Sequence, residues 1–347
     1  MAENQIILSP RSHCDDMRLP ELIFCSPCAI ILCWSITDIN RRKSMNLTVT
    51  GLCKSFGDTK ALSEVSFAAR SGSPLGLLGR NGAGKTTAMR IIMDVFRPDS
   101  GEVLLDGKPI ARSGVRMGYL PEERGLYRGS TVIEQLVYFA RLRGMTRGDA
   151  VKAVDSWLER LGMGEYRSRK VETLSKGNQQ RIQLALALIN DPDVVILDEP
   201  FSGLDPVNAL QLRQIVAEVA SKDKLVIFSS HQMSAVEDFC DDIVILRKGE
   251  VVLKDVLSDL RARSPKNRIR ITPAAAELTA AAARFGTVEN VKDGIVVTLN
   301  SEGDRSALLA AIAQSGADIA SFETVLPTLE EIFVSAAGED SEGGAAQ

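Results

Sequence analysis

Three short stretches of this 347-residue chain carry side chains whose types and spacing suit phosphate chemistry. The first, Gly79-Arg80-Asn81-Gly82-Ala83-Gly84-Lys85-Thr86-Thr87, fits the pattern G-x-x-x-x-G-K-[ST]. Its glycines let backbone N–H groups turn inward around a polyphosphate, at the positive end of a helix dipole. Lys85 then meets the β- and γ-phosphate charge, and the Thr86 hydroxyl ligates Mg2+. The second stretch is Asp198-Glu199, with Asp198 placed to hold Mg2+ through water and Glu199 to polarise an attacking water. An Asp-Glu pair by itself is a solvated strand end; the loop upstream gives this one a metal and a substrate to act on. The third is His231, one of two histidines in the chain, just past the apolar run Leu225 to Phe228. Taken alone, a histidine after a strand is more often a satisfied structural residue.

These side chains need a scaffold that brings distant segments to one edge. The loop has the required context, with the apolar run Leu75 to Leu78 before it and the helix-like Ala88 to Val95 after it. Val194 to Leu197, four consecutive aliphatic residues, suits a strand buried on both faces of a parallel sheet, with Asp198 at its carboxyl end. Shorter β-type runs precede the loop at Leu47 to Val49 and Glu64 to Ala68.

Between the loop and Asp198 lies Leu174-Ser175-Lys176-Gly177-Asn178-Gln179-Gln180-Arg181, followed by an Ala/Leu-rich stretch to Ile189 that reads as a helix. This run resembles the signature motif of ATP-binding cassette (ABC) ATPases, whose usual form is L-S-G-G-Q; Lys176 and Asn178 stand at its third and fifth places. The resemblance implies an α/β P-loop NTPase (RecA-like) cassette with a helical signature subdomain, and ATP and Mg2+ as its ligands. It also implies a head-to-tail homodimer or heterodimer, in which Ser175 and the Gly177 N–H donate to the γ-phosphate held by the other subunit's loop. Gly79, Asn81, Gly82, Ala83, Gly84, Lys85, Thr86 and Thr87 hold nucleotide on this reading, with Lys85, Glu199 and His231 catalytic and Thr86 and Asp198 on the metal. Ser202 to Pro206 resembles the D-loop, and His231 the switch histidine that contacts the γ-phosphate. Phe56 resembles the aromatic platform that stacks on adenine, with a core phenylalanine as the rival reading. Glu122 takes the position that many members fill with Gln; a carboxylate also coordinates Mg2+, which makes Glu122 a further metal candidate.

The run Glu122 to Tyr127, together with Leu174 to Gly177, is similar to the single-cassette subgroup serving type-two ABC exporters, which includes sodium and drug efflux systems. That similarity, over about residues 46–255, implies an ATP-hydrolysing exporter subunit. Such a subunit sits on the cytoplasmic face of the membrane through a separate permease and does not contact the transported substrate directly. The alternative is a soluble ABC ATPase acting on the ribosome or on nucleic acid. Such relatives carry two cassettes or a long coiled-coil insertion, and the sequence shows neither a second phosphate loop nor a heptad insertion. No Asn-Lys-x-Asp guanine motif occurs either.

With 41 Lys+Arg against 45 Asp+Glu, and 45% hydrophobic residues, the composition is that of an ordinary globule. It lacks the basic excess that marks non-specific nucleic-acid binding, so no nucleic-acid partner is expected. The length predicts about two domains. Residues 1–44 are expected to be an extension without a fold, ahead of a start at Met45. Cys25-Ser26-Pro27-Cys28 with His13 is at most half a zinc site or a redox motif, because no second CxxC follows. The apolar run Leu22 to Thr37 would span about 24 Å as a helix, short of a hydrocarbon core of about 30 Å. Basic residues follow that run instead of preceding it, which argues against a secretory signal.

A cassette is expected over 45–258, with its helical subdomain at about 122–185, and Ser258 to Arg263 reads as a polar, basic junction. Beyond it, strands at Arg268 to Thr272, Thr287 to Val291, Gly294 to Leu299 and Ile319 to Val325 alternate with helices at Pro273 to Arg284 and Asp304 to Gln314. The order β-α-β-β-α-β predicts a small α+β, ferredoxin-like domain over 264–337. Thr328 to Glu331 is a capping box opening a last helix. The acidic tail at 338–347 is expected to be disordered.

Overall fold

Alternation of apolar and polar residues builds the first layer. Strands β1 (Asn46–Phe56) and β2 (Thr59–Arg70) form an antiparallel hairpin in which Leu47, Val49, Val65 and Phe67 point into the core. Both strands are longer than the short runs expected from sequence, because β1 continues past Gly51 through register shifts. With β4 (Ser100–Leu105) and β5 (Lys108–Pro109) they make a sheet of order β2-β1-β4-β5. The structure, a computed structural model, describes residues 44–332 apart from 124, 203, 232 and 302, and apart from the side chains at 206, 207, 234 and 235. The N-terminal extension with its cysteines and apolar run, Gly203, the end of the last helix and the acidic tail lie outside the described residues.

The second sheet has the order β10-β9-β3-β8-β7-β6. Its strands β3 (Leu75–Leu78), β6 (Met117–Leu120), β7 (Val194–Asp198), β8 (Leu225–Ser230) and β9 (Asp242–Arg247) run parallel, and β10 (Glu250–Val256) closes the edge antiparallel to β9. Successive residues of β7 feed opposite cores. Val194 and Ile196 pack against the first sheet and helix α1 (Lys85–Ile92), whereas Val195 and Leu197 face the helical side. That two-sided burial is why the strand reads as an unbroken aliphatic run. The helical side contains α2 (Val132–Leu142), α3 (Arg147–Arg160), α4 (Lys176–Leu188) and α5 (Pro206–Ala220). Helix α2 opens on a reciprocal capping box between Thr131 and Glu134. A short helix, α6 (Met233–Glu237), follows β8.

The polar, basic stretch at Ser258 to Arg263 forms helix α7 (Leu257–Arg263). Leu257 is buried, Leu260 packs beside it, and Arg263 holds both Asp255 carboxylate oxygens at 2.6 Å, so the segment has an apolar face and a charged one. The sheet that follows comprises β11 (Arg268–Thr272), β12 (Gly286–Val291), β13 (Gly294–Leu299) and β14 (Ser321–Thr324), in the antiparallel order β12-β13-β11-β14. Helices α8 (Ala276–Ala282) and α9 (Asp304–Gln314) share a separate core with it, and the chain order is the β-α-β-β-α-β of a ferredoxin-like unit. Helix α8 and strand β14 are shorter than expected, because Pro273 to Ala275 and residues 319–320 run as connecting segments. The chain then returns to the cassette. Leu329 is buried in the same core as Val236, Cys240 and Leu257, and its N–H donates to Glu237 Oε1 at 2.6 Å. The capping box forms as expected, with Glu331 N–H donating to Thr328 Oγ1 and Thr328 N–H to Glu331 Oε2. Among the described residues no helix is long and apolar enough to cross a membrane.

Candidate functional site

The strand order decides what meets at the carboxyl edge of the parallel sheet. β8 lies between β3 and β7, so the loop after β3, the acidic pair ending β7 and the histidine after β8 converge there. This is where open α/β sheets bind ligands.

The loop from Gly79 to Gly84 leads directly into α1. Gly79 (φ 151°) and Gly84 (φ 104°) are in the backbone region that favours glycine, and a Cβ there would lie 2.4 Å from Leu246 O and 2.7 Å from Ala61 O respectively. Gly82 (φ 78°) has nothing within 4 Å of such a Cβ, so its backbone conformation is the whole constraint and the loop's mouth is open. Asn81 is exposed, Ala83 is buried, and Thr86 and Thr87 are half-buried on the first turn of α1. The first N–H groups of that helix have no intrahelical acceptor, which makes its start an anion-binding terminus. Lys85, 6% exposed, lies under the loop with Nζ donating to Gly79 O at 2.7 Å and Arg80 O at 3.4 Å.

Glu199 stands opposite. One carboxylate oxygen, Oε1, is 3.6 Å from Lys85 Nζ, and the other, Oε2, is 2.8 Å from His231 Nδ1. A carboxylate only accepts, so Nδ1 carries the hydrogen of that bond and Nε2 remains for other contacts. Oε1 is buried with no hydrogen-bond partner among the described residues. Glu199 also has φ 49°, a left-handed conformation that costs a non-glycine residue on the order of 1–3 kcal/mol and persists where the surroundings enforce it.

Asp198 is fully buried, accepting from Ser229 Oγ at 2.6 Å on Oδ1 and from the Tyr119 hydroxyl at 3.5 Å on Oδ2. Burial, and then the charge of Asp198, push the Tyr119 phenol above its ordinary pKa, which keeps it a donor. The donor set offered to a metal is therefore one carboxylate and one hydroxyl, Asp198 and Thr86, both hard oxygens. That set fits Mg2+, which keeps several waters and takes further oxygens from phosphate. The unpartnered Glu199 Oε1 fits a water-activating role beside it.

The other residues named from sequence sit on other elements. Ser175 is the N-cap of α4, exposed, with Oγ accepting from Asn178 N–H at 3.2 Å. Gly177 is buried, and a Cβ there would stand 3.0 Å from the Asn208 amide of α5. Phe56 is 46% exposed and meets Phe96 edge-on with ring centres 5.5 Å apart, so it is not a core residue. Glu122 is exposed in the turn after β6. Asp205, in the run read as a D-loop, caps α5 by accepting from Asn208 N–H.

Sequence reasoning missed four residues that organise the site. Gln180 of α4 donates to Pro200 O at 3.0 Å, and Gln183 donates to Pro121 O and Glu123 O on either side of Glu122, which ties the signature helix to both loops. Tyr119 and Ser229 hold Asp198. Ser229 was within reach, because two parallel strands ending at Asp198 and Ser230 place residue 229 beside the acidic pair.

Comparison with known proteins agrees with this geometry. Residues 62–202 match the ABC transporter family, and residues 256–337 match the C-terminal domain of DrrA1-3-like ATP-binding proteins. The ABC transporter ATP-binding protein YhaQ of Bacillus subtilis is 39% identical over 295 residues, covering 84% of this chain and 98% of YhaQ. The linearmycin resistance ATP-binding protein LnrL of the same organism is 30% identical over 305 residues, again covering 84% of this chain and 98% of the relative. Among solved structures, CbiO1 of Clostridium perfringens, part of the ABC transporter complex CbiONQ, superposes with a TM-score of 0.55 at 26% identity, over 62% of this chain and 90% of CbiO1. A glycine loop, an acidic strand end and a histidine gathered on one sheet edge, in a chain that spans nearly the whole length of such relatives, place it in the ABC transporter family as an ATP-binding, ATP-hydrolysing subunit.

Proposed function

We propose that this subunit powers a membrane exporter by closing as a head-to-tail dimer around ATP, with Glu199 as the general base. The observation that carries the reading is the Glu199 carboxylate held between Lys85 and His231 at the open mouth of the phosphate loop, its buried Oε1 3.6 Å from Lys85 Nζ and without a hydrogen-bond partner among the described residues. The N–H groups of Gly82 to Thr86 bind the phosphates, and Lys85 exchanges its bonds to Gly79 O and Arg80 O for phosphate oxygens. Thr86 and Asp198 hold Mg2+, which when bound neutralises charge developing on the β- and γ-phosphate oxygens. Glu199 Oε1 takes a proton from the attacking water, and His231 fixes the Glu199 carboxylate through Nδ1 while its Nε2 faces the γ-phosphate. Phe56 supplies an exposed aromatic surface for adenine. Ser175 and the Gly177 N–H serve the site of the second subunit.

The partner is a separate permease, and the chain is held at the cytoplasmic face of the membrane through it. CbiO1 is part of a transporter complex, which favours a separate membrane partner, and LnrL is a resistance ATP-binding protein, which favours export. A docking face is available where Tyr127 and Tyr138, both more than half exposed, flank Phe139 just beyond Glu122. Glu122, at the loop joining sheet and helices, is a further Mg2+ candidate only through movement of its exposed turn.

Glu199→Gln tests the assignment. The variant is expected to bind ATP as wild type does and to lose turnover by about 100-fold or more, as removal of a general base does. It should accumulate as an ATP-bound dimer on size-exclusion chromatography. Steady-state hydrolysis at the wild-type rate overturns the role of Glu199.

A further inference from the structure

We propose that Ser229 is a positioning residue for hydrolysis, its one hydroxyl fixing the metal-binding Asp198 and the backbone of the catalytic Glu199 together. The inference rests on the roles given above to those two carboxylates. Ser229 is fully buried on β8, with Leu77 of β3 on one side and Asp198 of β7 on the other in register. Its Oγ lies 2.6 Å from Asp198 Oδ1 and 3.1 Å from Glu199 N. A hydroxyl has one hydrogen and two lone pairs, and an ionised carboxylate cannot donate, so the hydrogen goes to Asp198 and a lone pair receives the Glu199 N–H.

The two bonds have separate consequences. On Asp198, Oδ1 is occupied at short range while Oδ2 has only the Tyr119 hydroxyl at the long limit of 3.5 Å, which leaves Oδ2 as the freer oxygen for a cation. On Glu199, the bond holds the N–H of a residue in a left-handed conformation, φ 49°, and that turn aims its side chain back between Lys85 and His231 instead of onward along the strand. Alanine at 229 leaves a buried carboxylate oxygen and a buried N–H each short of a partner, whereas threonine keeps the hydroxyl.

The test uses the full chain as wild type, Ser229→Ala, Ser229→Thr, Ser229→Cys and Glu199→Gln. Three quantities are read: affinity for a fluorescent ATP analogue without Mg2+, the Mg2+ concentration that half-saturates the metal-dependent gain in that affinity, and kcat. Ser229→Ala is expected to change metal-free affinity less than about threefold, to raise the Mg2+ half-saturation about 10-fold and to lower kcat about 10- to 100-fold, the range for lost outer-shell partners. Ser229→Thr should stay near wild type. A Ser229→Ala chain with wild-type kcat and Mg2+ half-saturation overturns the proposal, and so does a threonine variant as impaired as alanine, because packing and not the hydroxyl would then be at work. Where the alanine chain does not fold, Ser229→Cys, nearly equal in volume with a weaker donor and acceptor, must show the same losses in smaller measure; wild-type values in it overturn the proposal. Glu199→Gln separates the two levels. Full turnover in that variant overturns the reading of Glu199 as base, and the Mg2+ half-saturation, measured without turnover, still decides whether Ser229 positions Asp198.

Discussion

Glu199 is buried with one oxygen on His231 and the other facing Lys85, and the three side chains differ in what their loss costs the fold. Lys85 and Glu199 are about 5% exposed, whereas the His231 side chain is 42% exposed. Truncating His231 therefore opens no cavity in the core, yet it removes the contact that orients Oε2. His231→Ala is expected to melt within about 2 °C of wild type, as surface substitutions do, and to retain ATP affinity while losing turnover by about 10- to 100-fold. Thermal melting beside steady-state ATPase assays checks this, and a parallel loss of melting temperature and binding would show that His231 has a structural role instead. At this scale Lys85, Asp198, Glu199 and His231 were legible in sequence because the motifs fix their spacing along single strands and loops. Ser229 carries no motif of its own; its place follows from the register of β8 against β7, a relation between residues 31 apart that no local pattern states.

The elements divide in a similar way. Strands β7 and β11 and helix α9 appear in the sequence at nearly their true bounds, since their patterns are uninterrupted and clearly bounded. Helix α7 is less legible, because charged residues outnumber apolar ones over 258–263 and its apolar face is Leu257 and Leu260, which pack on the cassette core. The segment after β14 lies within the stretch matching the C-terminal domain, and its packing is not legible in sequence: Leu329 is buried in the cassette core beside α6, the helix that begins two residues after His231, while Glu237 of α6 binds both Leu329 N–H and Arg261. A fully buried leucine replaced by alanine costs about 2–5 kcal/mol through lost burial and the cavity left. Leu329→Ala is expected to lower the cassette's melting midpoint by several degrees, at about 2–4 °C per kcal/mol for a fold of this size. Calorimetry checks it, and an unchanged cassette transition would mean that Leu329 does not stabilise that core.

For the whole molecule, the proposed function divides each ATP site between the phosphate loop of one chain and the signature run of another. The loop, Glu199 and His231 gather at the edge of the parallel sheet, while Ser175 and Lys176 stand exposed at the start of α4, whose hydrogen bonds run to α5 and to the segments flanking Asp198 and Glu122. The family resemblance implies this division, and the start of the 13-residue α4, with its exposed serine cap, is the part of the chain that the proposed dimer would use. In the proposed head-to-tail dimer, two copies related by a twofold axis would supply each signature with the other's loop. Ser175→Arg places a bulky side chain at that contact without touching the loop of its own chain. In a Glu199→Gln background, which is expected to trap the ATP dimer, Ser175→Arg should leave one ATP bound per chain but keep the protein monomeric on size-exclusion chromatography in ATP. Loss of the Ser175 cap itself costs about 1 kcal/mol, so a modest fall in melting temperature is expected and does not account for lost dimerisation. An ATP-dependent dimer that survives Ser175→Arg would mean that the signature helix faces something other than the second nucleotide, and the head-to-tail arrangement would have to be given up.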